Sequence, residues 1–225
     1  MCNLYSHTKG PKAIRDLAKA MGGGWLDSAG NLEPQPSIFP DQLAPVVRST
    51  PDGIRELTRM RWGFPTPHPR SSVPGEKKKP GYQTNIRQPR WKQWLPWFEA
   101  GHRCLVPVTS FAEYDHRTAP PTCTWFAMDE SRPLFFFPGI WRPWFGHRGT
   151  KANPASGDHL LFSFLTTAPN AVVKPVHPVA MPVLLLDKAA RETWLTGSVD
   201  AALALQRPAP DDAVRIVATG ARQDG

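Results

Sequence analysis

Residues 103–114 read Arg103-Cys104-Leu105-Val106-Pro107-Val108-Thr109-Ser110-Phe111-Ala112-Glu113-Tyr114. Two runs within them, Arg103–Val106 and Ser110–Tyr114, have the length and the apolar and aromatic content of successive strands. Downstream, similar runs recur at Thr122–Met128, Leu134–Trp141, Leu160–Thr166 and Met181–Leu186, with Val214–Ala218 as a last strand. Upstream, Ala44–Arg48 and Ile54–Trp62 alternate around the turn signal Pro51-Asp52-Gly53 and predict a hairpin. Residues 2–7 fit one more short strand. A helix fits residues 11–21, with Pro11 near its start, Gly22 past its end, and Ile14, Leu17, Ala18 and Met21 at helical spacing. Residues 188–206 predict two helical pieces split at Gly197. These elements predict an α+β fold, one domain over residues 1–225 with its core at about 2–206. Its sheet should be largely antiparallel and barrel-like, with flanking helices and a frayed tail at 219–225.

Composition narrows the classes. Hydrophobic residues make up 40% of the 225, which is ordinary for a globular chain. The 26 prolines disfavour long helices and favour turns and irregular connections. Residues 65–81, with Lys77-Lys78-Lys79, read as a solvent-facing loop. The formal net charge of +8 suits solubility, or more sharply a phosphate-rich partner whose counterions the Lys and Arg side chains release. Cys2, Cys104 and Cys123 form no C-x-x-C pair, which disfavours a cysteine-based zinc site. The odd cysteine count and the lack of a signal-peptide pattern point to a reducing cytoplasm. No apolar run approaches the ~20 residues of a membrane helix.

Cys2 is the most informative single position. Removal of Met1 would leave an amine and a thiol on adjacent carbons. An α-amine has an ordinary pKa of about 7.7–8.0, so part of it is neutral at pH 7. Such a pair condenses with an aldehyde: the amine forms an imine and the sulfur closes a thiazolidine ring. Cys2 also fits an N-terminal nucleophile hydrolase acting on peptides, or an incidental second residue. Glu113, flanked by apolar and aromatic residues, has the setting of a carboxyl raised by desolvation, or of an ordinary strand carboxylate. His177 lies in Val176-His177-Pro178-Val179-Ala180-Met181, suited to proton transfer or to a structural loop role. In Thr84-Asn85-Ile86-Arg87, Asn85 offers a neutral donor and acceptor and Arg87 a phosphate fork. Trp62 and Tyr114 have the aromatic faces that stack on bases; Trp91, Trp94 and Trp97 at helical spacing read more simply as core. His102, His147 and His159 lack ligand spacing, so no metal is expected.

Together these segments resemble the SOS response-associated peptidase (SRAP) family. The matching pieces are Cys2 after Met1; Arg61-Trp62-Gly63-Phe64-Pro65; Asn85-Ile86-Arg87; Arg103-Cys104-Leu105-Val106-Pro107 leading to Phe111-Ala112-Glu113-Tyr114; Gly139-Ile140-Trp141; Thr166-Thr167-Ala168-Pro169-Asn170; and His177 followed by Ala180-Met181-Pro182-Val183. They occur in the family's order over about residues 2–186. The resemblance implies a β-barrel-like core with flanking helices, and an N-terminal cysteine that traps the aldehyde of an abasic site in single-stranded DNA. It further implies Cys2 as nucleophile, Asn85 holding the amine, and Glu113 and His177 as acid–base groups. Arg87 would bind phosphate, and Trp62 and Tyr114 would pack beside the lesion. The same constellation would remove residues that precede the cysteine. No cofactor is implied. The expected partner is abasic single-stranded DNA, engaged by a monomer in the cytoplasm or on the nucleoid, with no membrane.

Two departures stand out. The family often has Gly-Arg after the cysteine; this chain has Asn3 and Leu4. The missing cation would be supplied elsewhere, with Arg87, Arg90 and Lys92 as candidates. The residues around the glutamate, often Tyr and Trp, are Ala112 and Tyr114. A peptide hydrolase and a non-covalent single-strand binding module remain the rival readings.

Overall fold

The computed structural model describes residues 2–19, 22–66 and 81–224. The expected loop at 65–81, with its three lysines, lies mostly outside them, as do Met1 and Met21. The strands in chain order are β1 (Leu4–His7), β2 (Trp25–Asp27), β3 (Gln35–Ile38), β4 (Leu43–Ser49), β5 (Arg55–Trp62), β6 (Phe64–Pro65), β7 (Tyr82–Gln83) and β8 (Asn85–Ile86). They continue with β9 (Arg103–Val108), β10 (Ser110–Asp115), β11 (Thr122–Ala127), β12 (Phe135–Gly149), β13 (Pro154–Thr167), β14 (Met181–Pro182) and β15 (Arg215–Thr219). The α-helices are α1 (Pro11–Lys19), α2 (Lys188–Thr196) and α3 (Val199–Leu203).

Strands β5, β4, β9, β12 and β13 join in that order through antiparallel ladders, and β13 returns to β5 in parallel at Leu161↔Arg61 and Phe162↔Trp62. The five therefore close into a barrel, largely antiparallel as the sequence predicts. A second sheet, β15–β11–β10–β1–β3, is antiparallel throughout. The chain crosses from barrel to second sheet at Thr109, between β9 and β10.

Side-chain alternation sorts the barrel residues into two clusters. Val47, Leu57, Leu105, Phe136, Leu161 and Leu165 pack with Ile14 of α1 and Trp194 and Leu195 of α2. A helix does not fit inside five strands, so this is the outer face. The alternate set, Val46, Met60, Trp62, Val106, Phe137, Phe162 and Phe164, packs with Tyr5, Phe111 and Phe126 of the second sheet. Since about eight strands are needed before an interior merely accommodates its own side chains, this smaller barrel has no lumen. Gly139 is required where it sits: an added Cβ would lie 2.9 Å from Cys104 Sγ and 3.2 Å from the Ser163 carbonyl.

Several expectations need correcting. The hairpin of β12 and β13 runs to Gly149↔Pro154, far past Trp141 and Leu160. Pro143, Gly146 and Gly157 hide this extension in the sequence. Buried Arg148 ties the arm down, donating from Nε to Asp41 Oδ1 at 2.6 Å and from a terminal nitrogen to the Gly63 carbonyl at 2.8 Å. The run Met181–Leu186 is ladder only at Met181–Pro182, with one bridge from Leu185 to Phe136. The expected frayed tail is tethered. The Asp224 carboxylate is 0% exposed and accepts from Ser6, Ser110 and Arg132, and Trp125 Nε1 donates to the Ala221 carbonyl at 2.9 Å. Among the described residues no helix is long and apolar enough to cross a membrane.

Trp62 is not a DNA platform. It is 0% exposed, stacks on Phe164 with centroids 5.2 Å apart, meets Tyr5 edge-on at 5.1 Å, and donates from Nε1 to the Thr84 carbonyl at 3.0 Å. Its strand alternation turns it inward, where no base can reach it. Trp62→Ala should lower the stability measured by urea unfolding by about 3–5 kcal/mol. An unfolding midpoint equal to that of the unaltered protein would place the indole outside the core.

Candidate active site around Cys2

Cys2 lies two residues before the start of β1, and β1 lies against β10 in the register Leu4↔Ala112, Tyr5↔Phe111, Ser6↔Ser110. That pairing brings Cys2 to the end of β10 that carries Glu113. The Cys2 side chain is fully buried, its Sγ 3.5 Å from the Leu4 carbonyl and 4.0 Å from the Ala112 carbonyl. Burial, and then the nearby Glu113 charge, push the thiol well above its ordinary pKa. At neutral pH it is therefore the S–H form.

Glu113 sits mid-strand opposite Thr124, on the same side of β10 as Phe111, and is 4% exposed. Desolvation raises its carboxyl from 4.5 to about 7. Its Oε1 is buried and has no hydrogen-bond partner among the described residues, and its Oε2 lies 4.0 Å from His177 Nε2. His177 belongs to the loop between β13 and β14. Asn170 organises that loop: Oδ1 accepts from the Val173 amide at 3.0 Å, and Nδ2 donates to the Pro210 carbonyl at 3.2 Å. The His177 amide then donates to the Val173 carbonyl at 2.9 Å, with Val173 and Val176 buried beneath. Burial lowers the pKa of the His177 ring, and the charge of His116 acts in the same direction.

Asn85 arrives on β8, which pairs in parallel with β13 at Phe164. Its Nδ2 donates to the Cys2 carbonyl at 2.8 Å and to Thr84 Oγ1 at 2.7 Å. Thr84 Oγ1 in turn donates to Asn3 Oδ1 at 2.9 Å. Asn85 Oδ1 is buried without a partner among the described residues. Gly63 makes room for this strand at φ +106; an added Cβ there would meet Tyr82 Cβ at 3.0 Å.

Cys2, Asn85, Glu113 and His177 thus lie together in the structure. Tyr114 is half-buried and lines a pocket of about 480 Å³ with Asn3, Phe39, Tyr82, Thr84 and Arg222. Arg87, Arg90 and Lys92 are exposed and do not line it; Arg90 instead reaches Asp200 on α3 at 3.3 Å. Sequence reading missed Thr84, Tyr82 and Arg222 as neighbours of the site. Thr84 directly precedes Asn85, and that adjacency was its one local signal. Arg222 lies far along the chain and carried no local signal. Among the described residues no three His, Cys, Asp or Glu side chains cluster as metal ligands.

This arrangement places together a thiol held as S–H, an amide donor on its backbone, a carboxyl raised to about 7 and an imidazole lowered from its ordinary value. Comparison with known proteins bears on the kinship of the chain. It is 25% identical over 167 residues to abasic site processing protein YoaM of Bacillus subtilis, covering 74% of this chain and 67% of that protein. It is 26% identical over 168 residues to abasic site processing protein YoqW of the same organism, covering 74% and 68%. Among solved structures, a Bordetella bronchiseptica protein superposes with a TM-score of 0.69 at 19% identity, covering 97% of this chain and 98% of its own. A Bacteroides thetaiotaomicron protein superposes with a TM-score of 0.68 at 19% identity, covering 96% and 90%. Identities this low speak to the fold alone. The family model for SOS response associated peptidase (SRAP) matches residues 1–221, and the chain belongs to that family.

Proposed function

We propose that the protein processes abasic sites in single-stranded DNA as part of the DNA damage response, bonding to them covalently through Cys2 once Met1 has been removed. The observation that carries this reading is the convergence at Cys2: Asn85 holds its carbonyl at 2.8 Å, and Glu113, a buried carboxyl raised to about 7, has an oxygen without a partner among the described residues. Membership in the SRAP family and the names of the two Bacillus relatives supply the substrate class.

The chemistry runs without an oxidant or a metal. Glu113 takes the proton of the hemiacetal hydroxyl; the C1′–O4′ bond breaks, O4′ is protonated, and the aldehyde is released. The neutral α-amine of Cys2 attacks C1′, and its proton passes to the carbonyl oxygen, giving a carbinolamine. Glu113 or His177 protonates the hydroxyl, which leaves as water, and then takes back the proton on nitrogen, leaving a neutral C=N bond. The thiol then adds: sulfur bonds to C1′ and its proton passes to nitrogen, closing the thiazolidine. A thiol kept as S–H suits this order, because the amine leads and the sulfur follows. An abasic nucleotide has no base to unstack, so it enters a crowded site at little cost. Removal of residues before Cys2 would use the same groups on a peptide bond. A hydrolase directed at peptides would share the constellation; the relatives named for abasic sites favour DNA.

Two experiments test the reading. Incubation with an abasic oligonucleotide followed by a denaturing gel should give a stable adduct with the mature protein and none with Cys2→Ala. An adduct from Cys2→Ala without borohydride would rule out the amine–thiol scheme. Glu113→Gln should slow adduct formation by about 10²–10⁴-fold and abolish an inflection in the pH–rate profile near pH 7.

The same substitution should stabilise the protein. The Glu113 pKa is about 7 in the fold against 4.5 when unfolded, so the folded state holds the extra proton between those values. Stability is therefore greatest below 4.5 and declines as pH rises through about 7. Glu113→Gln removes this decline, and its melting temperature should exceed that of the unaltered protein at pH 8 but not at pH 4. An equal difference at both pH values would mean that the carboxyl is not raised.

A further inference from the structure

The pocket that Tyr114 lines is walled by the chain neighbours of three of the converging residues, while Cys2, Asn85 and Glu113 themselves do not line it. Asn3 follows Cys2, Thr84 precedes Asn85, and Tyr114 follows Glu113. Its remaining walls include Phe39, Tyr82 and Arg222. Arg222 is the only charged side chain that lines it among the described residues. The guanidinium carbon lies 5.7 Å from the centre of the Tyr114 ring, and Arg222 makes no ion pair among the described residues.

Arg222 is exposed but its backbone is not adrift. Two residues on, the Asp224 carboxylate is buried under the second sheet and accepts from Ser6 Oγ at 3.1 Å and from Arg132 Nε at 2.8 Å. The Asp224 amide donates to the Pro36 carbonyl at 2.9 Å. On the other side, the Ala221 carbonyl accepts from Trp125 Nε1 at 2.9 Å, and the Gly220 amide donates to the Cys123 carbonyl at 2.8 Å. Residues 220–224 are thus fastened at both ends across strands β1, β10 and β11, with Arg222 between the fastenings. A buried carboxylate with several donors is costly to detach. Nothing about the apolar core requires a cation at residue 222; the fastening fixes one at the pocket mouth.

We propose that Arg222, held by the Asp224 anchor, binds a backbone phosphate of the nucleotide next to the abasic site, while Tyr114 and Tyr82 offer their rings to the adjoining base. This rests on the single-strand reading above and names a residue for it. It also answers the loss of the arginine that the family often carries after the cysteine: the cation comes from the far end of the sequence rather than from Arg87, Arg90 or Lys92. A planar fork suits phosphate and stacks on an aromatic ring. A pocket lined by one guanidinium and aromatic rings fits a sequence-tolerant contact with a single strand; Tyr82 is backed by the Arg148 guanidinium, 4.1 Å from its ring centre, and its hydroxyl lies 3.5 Å from Asp41 Oδ2.

The test uses a lesion-free fluorescent oligonucleotide and the full chain, with affinity measured by anisotropy from low to moderate salt. Each phosphate neutralised on a single strand contributes about 0.7 to the slope of log K against log salt. Arg222→Gln should weaken binding several-fold and lower the slope by about that amount, whereas Arg222→Lys should keep most of the slope. Asp224→Asn should lose the same slope, and Arg222→Gln with Asp224→Asn should lose no more than either alone. Melting temperatures establish that each variant is folded; if Asp224→Asn is not, the two Arg222 variants carry the test. Lys12→Gln, on α1 across the barrel, removes one charge and should leave the slope unchanged.

An Arg222→Gln slope equal to that of the unaltered protein would overturn the proposal, as would an equal loss from Lys12→Gln, which would mean that only net charge matters. The covalent reading fails separately: unaltered protein that forms no adduct, while Arg222→Gln still loses slope, would sink the thiazolidine scheme and leave the phosphate contact standing. Unaltered protein with no affinity for single strands would overturn both.

Discussion

The antiparallel pairing of β1 with β10 sets every distance in the site. Side chains alternate along a strand, so a slip of one residue would turn Glu113 away from Cys2 and bring Ala112 or Tyr114 in its place. Two apolar layers hold the register. Tyr5 and Phe111 point to the barrel, while Leu4 and Ala112 pack with Cys123 and Trp125 on the other face. At the far end of the pair, Ser6 and Ser110 share a hydrogen bond of 2.6 Å and both contact Asp224. A one-residue shift would bury polar atoms without partners and expose two aromatic rings, so the site is kept by the core rather than by its own contacts.

Burial then decides the protonation states. Each group near Cys2 is moved toward its neutral form: the thiol up, the Glu113 carboxyl up to about 7, the His177 ring down. A carboxyl at that value both gives and takes protons at neutral pH, which the proposed scheme needs in successive steps. The same burial weakens the fold, because the ionised carboxylate has lost its water; the barrel and the second sheet carry that deficit. A shifted pKa is not a site by itself. His7, at the other end of β1, is lowered to about 4 by burial, and both its ring nitrogens are buried without partners among the described residues. What separates Glu113 from His7 is the thiol and imidazole beside it.

Much of this was legible in the sequence, and the failures have physical causes. The hairpin around Pro51-Asp52-Gly53 could be read because turn chemistry and alternation agree, and the Gly53 φ of +75 is what that turn demands. The helix from Pro11 was legible because its Pro and Gly frame it, with Gly22 at φ +88. The β12–β13 arm was not, because its proline and glycines imitate loop signals while Asp41, outside the strand pair, holds it through Arg148 and the Gly149 amide. Cys2, Asn85, Glu113 and His177 were singled out through an ordered set of motifs, each weak alone, and the fold brings them together. Trp62 was misassigned because a tryptophan ending a strand reads alike whether it faces base or core; only the barrel closure at Phe162 shows which. Arg222 was out of reach, since nothing local links it to a cysteine at the opposite end of the sequence.

The substitutions after Cys2 show how the family pattern can loosen without loss of the reacting groups. Leu4 is 1% exposed in the cluster with Trp125, where an arginine would need a buried partner that the cluster does not contain. Asn3 faces the pocket and accepts from Thr84, which also accepts from the Asn85 amide. The polar chain from residue 3 therefore ends on the group that grips the Cys2 carbonyl, and it works by hydrogen bonding where the more usual pattern would place charge. Cys2 itself is fixed by strand pairing and by Asn85, neither of which depends on a cation at residue 4. On the proposed reading, chemistry and backbone recognition come from separate parts of the chain: Cys2, Asn85 and Glu113 lie on or beside paired strands and His177 on a loop pinned by Asn170, while the phosphate contact comes from a residue that the strand pairing does not fix.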